Sequence, residues 1–269
     1  MLNGKFKVVD AHCHIYPDKI AERATAGTDS FYGEHSVCKG TVSDLITRGQ
    51  ATGIDMFIVQ SVATTPKQVH SINEFIAHEV DANKDILVGL GTLHPESTDI
   101  KSDIDHIIEL GLHGIKLHPD IQQFETDCSG YMKIYEVCEE KRLPILIHAG
   151  DHRYDYSNPN RLSKVLKAFP DLTFVAAHLG GWSVWEDALK LLPGTENLYV
   201  DCSSCFPFIS DTGYVYKMIR TYGSDKVLFG TDYPMWSVDK EIERFMSLDF
   251  SDKEKEMMLY TNAAKIFDI

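Results

Sequence analysis

The chain has 269 residues, of which 43% are hydrophobic and 25% charged, so it can bury a sizeable core in one large domain or two smaller ones. Its formal net charge of −14 argues against a nucleic acid or an anionic membrane surface as the main partner. A small-molecule substrate is the partner that we expect.

Cysteine usage and the lack of long apolar runs bear on the cellular compartment. Residues Met1–Lys7 include no long apolar stretch, and no run approaches the roughly 18 apolar residues that cross a bilayer. Six cysteines in a chain of this length do not form a dense disulfide framework, so we expect reduced thiols in a cytoplasmic protein. Cys202 and Cys205 lack a second pair at zinc-finger spacing, which favours buried or near-site thiols over a redox or zinc motif.

Short apolar runs alternate with longer amphipathic stretches almost to the end of the chain. The alternation predicts eight strands, at Val8–His14, Met56–Val62, Ile86–His94, Gly114–His118, Pro144–His148, Leu172–His178, Leu198–Cys202 and Val227–Asp232. Helices are predicted between and after them, at Val42–Thr52, Lys67–Asn83, Ile100–Leu110, Tyr131–Lys141, Pro159–Ala168, Val184–Leu191, Tyr214–Tyr222 and Val238–Met246. Ile104, Ile107, Ile108 and Leu112 have the spacing of a buried helical stripe.

The predicted strands are almost continuously apolar, as in Leu143–Ile147, and parallel strands covered on both faces have this character. Eight such units in about this length predict an α/β fold of the (β/α)₈ TIM-barrel type, as a single domain over residues 1–269. A doubly wound open sheet is the alternative, but no glycine-rich phosphate-binding fingerprint follows the first strand.

Two further segments complete the outline. Tyr16–Lys39, after the first strand, is long and irregular, and we expect it to cover the site as a lid. The C-terminal segment Ser251–Phe267 is predicted to be helical, with Ser251 as its N-cap and Glu254 completing a capping box.

Candidate site residues gather at the carboxyl ends of the predicted strands. His12 and His14 project from the same face of the first strand, because side chains alternate along a strand, and can offer two imidazoles to one metal ion. Later strands end in a lysine, histidines and an aspartate: Lys116, His118, His148, His178 and Asp232. In a barrel these ends surround one mouth, where this fold places its active sites. The histidines without this pattern are interpreted as surface or packing residues: His70, His78, His106 and His113.

Five blocks of sequence carry a resemblance to a known family: Asp10–His14, Gly114–Pro119, Ile145–Gly150, Ala177–Gly181 and Leu228–Pro234. They resemble the amidohydrolase superfamily of metal-dependent barrels, and most of all the branch that includes aminocarboxymuconate-semialdehyde decarboxylase and related hydrolases. The resemblance covers nearly the whole chain. It is specific for the fold and the metal site and far less specific for the substrate.

The resemblance implies that four residues hold one divalent metal ion, with zinc the expected metal: His12, His14, His148 and Asp232. Three neutral imidazoles and a carboxylate suit zinc and leave a position for water, whose pKa zinc lowers from about 15.7 to about 7. The resemblance also implies that Asp232 accepts the proton of that water and passes it to the leaving group. His178 is then the residue that polarises the substrate or shuttles a proton.

Lys116, His118 and Asp10 have roles that the sequence leaves open. In binuclear members of the superfamily a lysine at the position of Lys116 is carboxylated and bridges two metals. We favour instead a charged lysine satisfied by a site carboxylate or by the substrate. His118 would then support the ligands or contact the substrate, and Asp10 would orient a ligand histidine or pair with Lys116.

Aromatic and basic residues follow the strand ends. Arg161, after the fifth strand, either holds a substrate carboxylate or pairs with Asp155 or Asp171. Trp182 and Trp236 either line a pocket for a flat or apolar part of the substrate or take part in ordinary packing.

The expected function is that of a hydrolase in which metal-bound hydroxide attacks an ester, lactone or amide carbonyl of a small, carboxylated substrate. The alternative is a nonoxidative, metal-dependent decarboxylase (a carboxy-lyase), which would use the same ligands. A catalytically dead binding barrel is disfavoured because none of the four expected ligands is missing, and a nuclease because the chain is acidic and has no basic stripe. A homodimer is expected from family habit alone.

Overall fold

The computed structural model describes residues 4–269, so the first three residues of the predicted single domain lie outside the described residues. This part of the chain contains nine strands: β1 (Val9–His14), β2 (Met56–Gln60), β3 (Leu87–Gly89), β4 (Gly91–Thr92), β5 (Ile115–Leu117), β6 (Ile145–Ile147), β7 (Phe174–Ala176), β8 (Leu198–Asp201) and β9 (Val227–Leu228). Every paired neighbour in the series runs parallel.

The nine strands form one closed barrel with eight strand positions, which we call staves. β3 and β4 are the two halves of the predicted third strand and flank Leu90, whose N–H donates to the carbonyl of Val59 in β2. At the seam between first and last staves, the Ala11 N–H donates to the Phe229 carbonyl and the Asp232 N–H donates to the His12 carbonyl. The predicted (β/α)₈ barrel is confirmed, and the open sheet is excluded because β1 bonds to the last stave.

The hydrophobic core has two layers. A larger layer lies between the strands and the surrounding helices. A smaller one fills the barrel interior with apolar side chains from the strands, including Val9, Ala11, Ile58, Val88, Leu90, Leu146, Val175 and Leu228. The C-terminal residues Ala263 and Phe267 pack against this inner layer. The barrel is therefore a packed core, with space for a ligand only beyond the strand ends.

Twelve α-helices occur in residues 4–269: α1 (Asp18–Tyr32), α2 (Val42–Thr52), α3 (Val69–Ala82), α4 (Ile100–Glu109), α5 (Pro119–Gln122), α6 (Ser129–Lys141), α7 (Pro159–Ala168), α8 (Trp185–Leu191), α9 (Thr212–Tyr222), α10 (Val238–Met246), α11 (Asp252–Glu256) and α12 (Asn262–Phe267). Local chemistry sets several of their ends. Ser251 and Glu254 form the predicted capping box of α11. A π-helical turn over residues 257–261 joins α11 to α12.

The prediction that Tyr16–Lys39 is irregular is wrong. Its first half is α1, a helix of 15 residues that ends at Gly33, whose φ of 72° is the left-handed conformation that glycine adopts readily. The periodicity of apolar residues does not predict this helix, because only Ala21 and Thr25 of α1 are buried. α1 lies across the mouth of the barrel, where one of its faces meets a cavity instead of a core.

A smaller correction concerns the stripe on α4. Ile104, Ile107 and Leu112 are buried as predicted, but Ile108 is 41% exposed because it falls on the solvent side of the helix. Across the described chain, no helix combines the length and the apolar character that a membrane crossing needs.

Candidate active site

The carboxyl ends of the strands surround a cavity of about 570 Å³, which we call the mouth cavity. All seven residues predicted at the strand ends line it: His12, His14, Lys116, His118, His148, His178 and Asp232. Trp182 and Trp236 line it as well, in agreement with the pocket interpretation. The barrel thus brings together side chains that are more than 200 residues apart in the chain.

A bulge in β1 explains how its histidines reach the cavity. The pairing of β1 with β2 shifts register between Asp10 and Cys13. Ala11 therefore packs in the barrel interior while its neighbour His12 lines the cavity, an arrangement that a regular alternating strand does not allow.

Three of the four predicted ligands converge closely. The Nε2 atoms of His12 and His14 are 3.2 Å apart, and the Oδ1 atom of Asp232 lies 3.5 Å and 3.7 Å from them. Ligand atoms about 2.1 Å from one tetrahedral ion would be about 3.4 Å apart. Burial, with the Lys116 charge nearby, holds the pKa of His14 well below its usual value, so its ring is a neutral donor. This set fits a divalent metal ion.

The tautomer of His12 also suits a ligand. Its Nδ1–H donates to the Oδ2 atom of Asp201, 2.9 Å away, so the lone pair is on Nε2 and faces the other donors. Burial opposes the charge on Asp201, but its interactions with the His12 ring, the His178 ring and the Ser203 hydroxyl together lower the pKa of the carboxyl. Asp201 is therefore a charged acceptor that fixes the ligand ring.

His148 lies beside His178 and not within the three-ligand group. The Nδ1 atom of His148 is 3.1 Å from the Nε2 atom of His178. The other nitrogen of each ring faces a backbone carbonyl, of Gly150 and of Ser203 respectively, and must donate its hydrogen there. Burial lowers the pKa of His178 to about 4 and that of His148 well below its usual value, so both rings are neutral. The two facing nitrogens are then both lone-pair donors, an arrangement that a cation satisfies.

Lys116 is fully buried, and its Nζ atom donates to the Nε2 atom of His12, 3.0 Å away. The expected direct ion pair with a site carboxylate does not form. Burial lowers the pKa of Lys116 to about 8, and the charges of Asp201 and Asp232 act against that decrease. The ammonium group therefore points at the atoms that would bind the metal.

His118 supports its neighbours and offers no free ring nitrogen. Its Nδ1 atom accepts the N–H of Ile121, so its Nε2–H faces the hydroxyl of Tyr32, 2.8 Å away. Its ring stacks on that of His148, with centroids 4.0 Å apart. Burial raises the pKa of Tyr32 well above its ordinary value, so the hydroxyl remains protonated in the cavity.

Asp232 is positioned by a short chain of hydrogen bonds. The Trp236 indole donates to the Ser204 hydroxyl at 2.7 Å, and that hydroxyl donates to the Oδ2 atom of Asp232 at 2.6 Å. Asp232 and His178 have φ values of 60° and 59°, in the left-handed region that side chains other than glycine seldom adopt. Such backbone strain clusters at functional sites, where the surrounding structure maintains it.

Two predicted site residues have other roles. Arg161 is absent from the cavity lining, because its guanidinium pairs with Asp127, Glu125 and Asp155 at 2.6, 2.8 and 3.2 Å. Its proposed contact with a substrate carboxylate is therefore wrong, and the pairing with Asp155 is confirmed.

Asp10 pairs neither with Lys116 nor with an imidazole. Its carboxylate accepts the N–H and the hydroxyl of Thr231, at 2.9 and 2.6 Å, and the backbone N–H of His12 at 3.2 Å. It is fully buried between the first and last staves, and its two oxygens are occupied by these backbone and hydroxyl donors. It therefore holds the two ligand-bearing segments together through their backbones.

Sequence reasoning missed two carboxylates and one guanidinium near the site: Asp201, Asp120 and Arg153. Asp201 ends β8, so the strand-end rule applied to the seventh stave would have found it. Asp120, just after His118 and Pro119, is buried beside His148, with the Oδ2 atom 3.6 Å from Nε2. Arg153 binds the carboxylate of Asp151 and reaches α1, which no sequence signal predicts.

Cys202 and Cys205 flank the two serines of this region and lie buried as free thiols. Their burial raises the pKa of both thiols, which keeps them protonated. They are therefore packing residues next to the site.

No curated protein matches the sequence significantly. An uncharacterised TIM-barrel protein from Bordetella bronchiseptica is similar with a TM-score of 0.80 and 20% identity, over 98% of this chain and 99% of that one. A dihydroxybenzoic acid decarboxylase from Polaromonas, with bound manganese and the inhibitor 2-nitroresorcinol, has a TM-score of 0.75 and 16% identity over 98% and 97%.

A probable 2-pyrone-4,6-dicarboxylic acid hydrolase from Acinetobacter baumannii, with bound citric acid, has a TM-score of 0.72 and 16% identity over 98% and 100% of the two chains. At these identities the solved structures establish the barrel fold alone. The sequence profile of the amidohydrolase family matches residues 9–269, nearly the whole chain, and the protein therefore belongs to the amidohydrolase family.

Proposed function

We propose that this protein is a metal-dependent hydrolase that cleaves an ester, lactone or amide bond in a small organic substrate. The observation that carries the proposal is the convergence of His12 Nε2, His14 Nε2 and Asp232 Oδ1 within 3.7 Å of one another in a ligand-sized cavity. Neutral imidazoles with a carboxylate suit a divalent metal such as zinc or manganese.

A divalent ion held by His12, His14 and Asp232 would supply a Lewis acid and lower the pKa of water beside it. Asp232 would accept a proton from that water, while the Ser204 hydroxyl holds the Oδ2 atom of its carboxylate. The Tyr32 hydroxyl remains protonated and can hold a substrate oxygen by a hydrogen bond.

His178 and Lys116 line the cavity beside the three-ligand group. We call these five residues (His12, His14, Lys116, His178 and Asp232) the polar base of the cavity. His178 presents Nε2 as an acceptor because its Nδ1–H is engaged by the Ser203 carbonyl. In that state it can take up and return a proton during the reaction. Lys116 brings the one ammonium group of the donor cluster and can stabilise negative charge that develops on a substrate oxygen.

A nonoxidative decarboxylase is the second candidate function, and the cavity wall favours it. Aromatic side chains of Tyr32, Trp182, Phe208 and Trp236 lie around the polar base, and several contact one another edge to face. Such a wall suits a flat aromatic acid. Structural relatives include proteins named as decarboxylases of hydroxybenzoates, although the likeness extends to the fold only.

Elemental analysis of protein purified without added metal tests the metal requirement. About one equivalent of a divalent metal supports one ion in the three-ligand group of His12, His14 and Asp232. Two equivalents would indicate that the His148 and His178 pair holds a second ion and would revive a bridging role for Lys116. Metal-free protein with full activity would disprove the proposal.

A substrate panel separates the two candidate functions. The metal-loaded protein is incubated with lactones and esters and, in parallel, with hydroxybenzoates. Release of the acid and alcohol parts without carbon dioxide supports hydrolysis. Carbon dioxide released from hydroxybenzoates, with the lactones left intact, would replace the hydrolase proposal by the decarboxylase one.

A further inference from the structure

The mouth cavity continues beyond the polar base into a passage between α1 and α3. Ile20, Ala24 and Gly27 of α1 line one side, and Ile72 and Phe75 of α3 line the other. Residues three or four positions apart share one face of a helix, so each helix turns an apolar face toward the other across this space. We name the passage between these five residues the apolar arm.

The protein's own side chains leave the apolar arm open. A Cβ atom added at Gly27 would meet no atom within 4 Å, although Gly27 lies in the middle of α1. Ile20, a large apolar side chain, is 38% exposed at the same wall. Apolar surface that faces water in a concave passage is stabilised when an apolar ligand covers it.

Arg23 lies on the same face of α1, one turn from both Ile20 and Gly27, and lines the cavity while exposed to solvent. Its guanidinium has no ion-pair partner among residues 4–269, whereas Arg153 and Arg161 are each held by carboxylates. Glu34, which also lines the cavity, follows the far end of α1. An unpaired, solvent-exposed guanidinium beside an apolar passage is complementary to an anionic group.

We propose that the apolar arm binds an elongated apolar group of the ligand and that Arg23 pairs with an anionic group at the outer end of that ligand. The reacting end of the molecule lies at the polar base, and this placement rests on the proposed function. The substrate class is therefore an amphipathic acid derivative, with a reactive polar end, an apolar chain or ring system and a terminal anion.

Calorimetric titration of the metal-loaded protein with linear monocarboxylates, from hexanoate to dodecanoate, tests the arm. Each methylene that enters it should tighten binding about fourfold, until the arm is filled. A dissociation constant that does not change with chain length would overturn the proposal.

Substitutions at Gly27 assign any chain-length dependence to this passage. Gly27→Phe places a ring in the open space and should abolish the dependence, with short acids still bound. Gly27→Ala is the matched control, because it adds one methyl in a helix, and should keep it. Circular dichroism and thermal unfolding verify the fold of both variants. Unchanged dependence in Gly27→Phe would contradict the assignment.

Comparison of α,ω-dicarboxylates with monocarboxylates of the same length tests Arg23. The second carboxylate should tighten binding about two- to fivefold, as exposed ion pairs do. Arg23→Gln should remove that gain and leave the monocarboxylates unaffected, while Arg23→Lys should keep most of it. Lys19→Gln removes the same charge from α1 outside the cavity lining and should change nothing. A gain that persists in Arg23→Gln would exclude the pairing.

Because these titrations measure binding, their outcome is separable from turnover. Chain-length dependence in a protein without hydrolytic activity would leave the arm in place and refute the proposed hydrolysis. Hydrolysis without chain-length dependence would support the proposed function and refute the apolar arm as a binding site.

Discussion

Asp201 determines which nitrogen of His12 faces the cavity. The carboxylate accepts from Nδ1 and also from the backbone N–H of His178 and of Ser203. One buried aspartate therefore orients a ring and a neighbouring segment of the site. Acceptors behind a metal-binding histidine fix its tautomer and raise its basicity, so they affect metal affinity without touching the ion.

Asp201→Asn should weaken metal binding about 10- to 100-fold, because the neutral amide no longer supports the His12 imidazole as a charged acceptor. Competition with a chelator measures the change. Asp187→Asn, on the exposed surface of α8, is the control and should have no effect. Equal metal affinity in the two variants would contradict the role given to Asp201.

Substitutions of His12 and of His178 should differ in their effect on metal retention. His12→Ala removes a ligand from the closest donor group and should abolish both metal retention and activity. His178→Asn should leave the metal bound while activity collapses, because it removes an acceptor from the base of the cavity. Metal content by elemental analysis and turnover are measured on the same preparations.

His78→Asn is the matched control for these substitutions, since His78 is largely exposed and outside the cavity lining. Wild-type turnover in both His12→Ala and His178→Asn would refute the assignments.

At the scale of elements, α1 is anchored over the mouth cavity at its C-terminal end. The Arg153 guanidinium donates to the Phe31 carbonyl in the last turn of α1 and lies over the rings of Phe31 and Tyr32. Asp151, fully buried, holds the other side of the guanidinium. Because only Ala21 and Thr25 of α1 are buried, this contact gives the helix a distinct anchor at its C-terminal end.

Arg153→Gln should make the amides of α1 exchange with solvent about tenfold faster, the effect of losing about 1.4 kcal/mol from charge-assisted hydrogen bonds. Hydrogen exchange measured by mass spectrometry resolves this helix from its neighbours. Arg161→Gln breaks comparable ion pairs away from the cavity and should leave α1 unchanged. Similar exchange in both variants would show that α1 is anchored elsewhere.

At the scale of the whole molecule, the buried carboxyl of Glu241 on α10 opposes stability at neutral pH. Its Oε2 atom has no hydrogen-bond partner, and its Oε1 atom accepts from Arg244 at 3.1 Å. Burial raises the pKa of Glu241 to about 7, the Arg244 charge acts against this, and the charges of Asp10 and Asp232 add to it.

Between about pH 4.5 and 7 the folded protein keeps the proton of Glu241 that the unfolded chain has lost, so the free energy of unfolding falls as the pH rises through this window. Glu241→Gln should remove that decrease and stabilise the protein at pH 8, by on the order of 3 kcal/mol at most. Urea unfolding across this pH range gives the measurement.

Glu243→Gln is the control for the loss of one negative charge, because Glu243 lies in the same helix and is exposed. It should shift the unfolding curve little at any pH. A Glu241→Gln variant that unfolds with the pH dependence of the wild type would contradict the raised pKa.

Local patterns in the chain were sufficient to predict the barrel and the identity of most site residues. Alternating apolar runs predict strands wherever they occur, and the end of a parallel strand in this fold always faces the mouth. His12, His14, Lys116, His178 and Asp232 could therefore be placed at the cavity from position alone. α1 could not, because a helix over a cavity buries too little to show an apolar period.

The tertiary structure decided which atoms face one another. It places His148 beside His178 and outside the three-ligand group. It also brings Asp201 to the His12 ring and pairs Arg161 with carboxylates outside the cavity. It also opened the apolar arm in front of Gly27. Sequence by itself determined the fold and the residue types at its mouth, because both follow from local periodicity. Hydrogen-bond partners and empty space depend on segments far apart in the chain, and only their packing sets them.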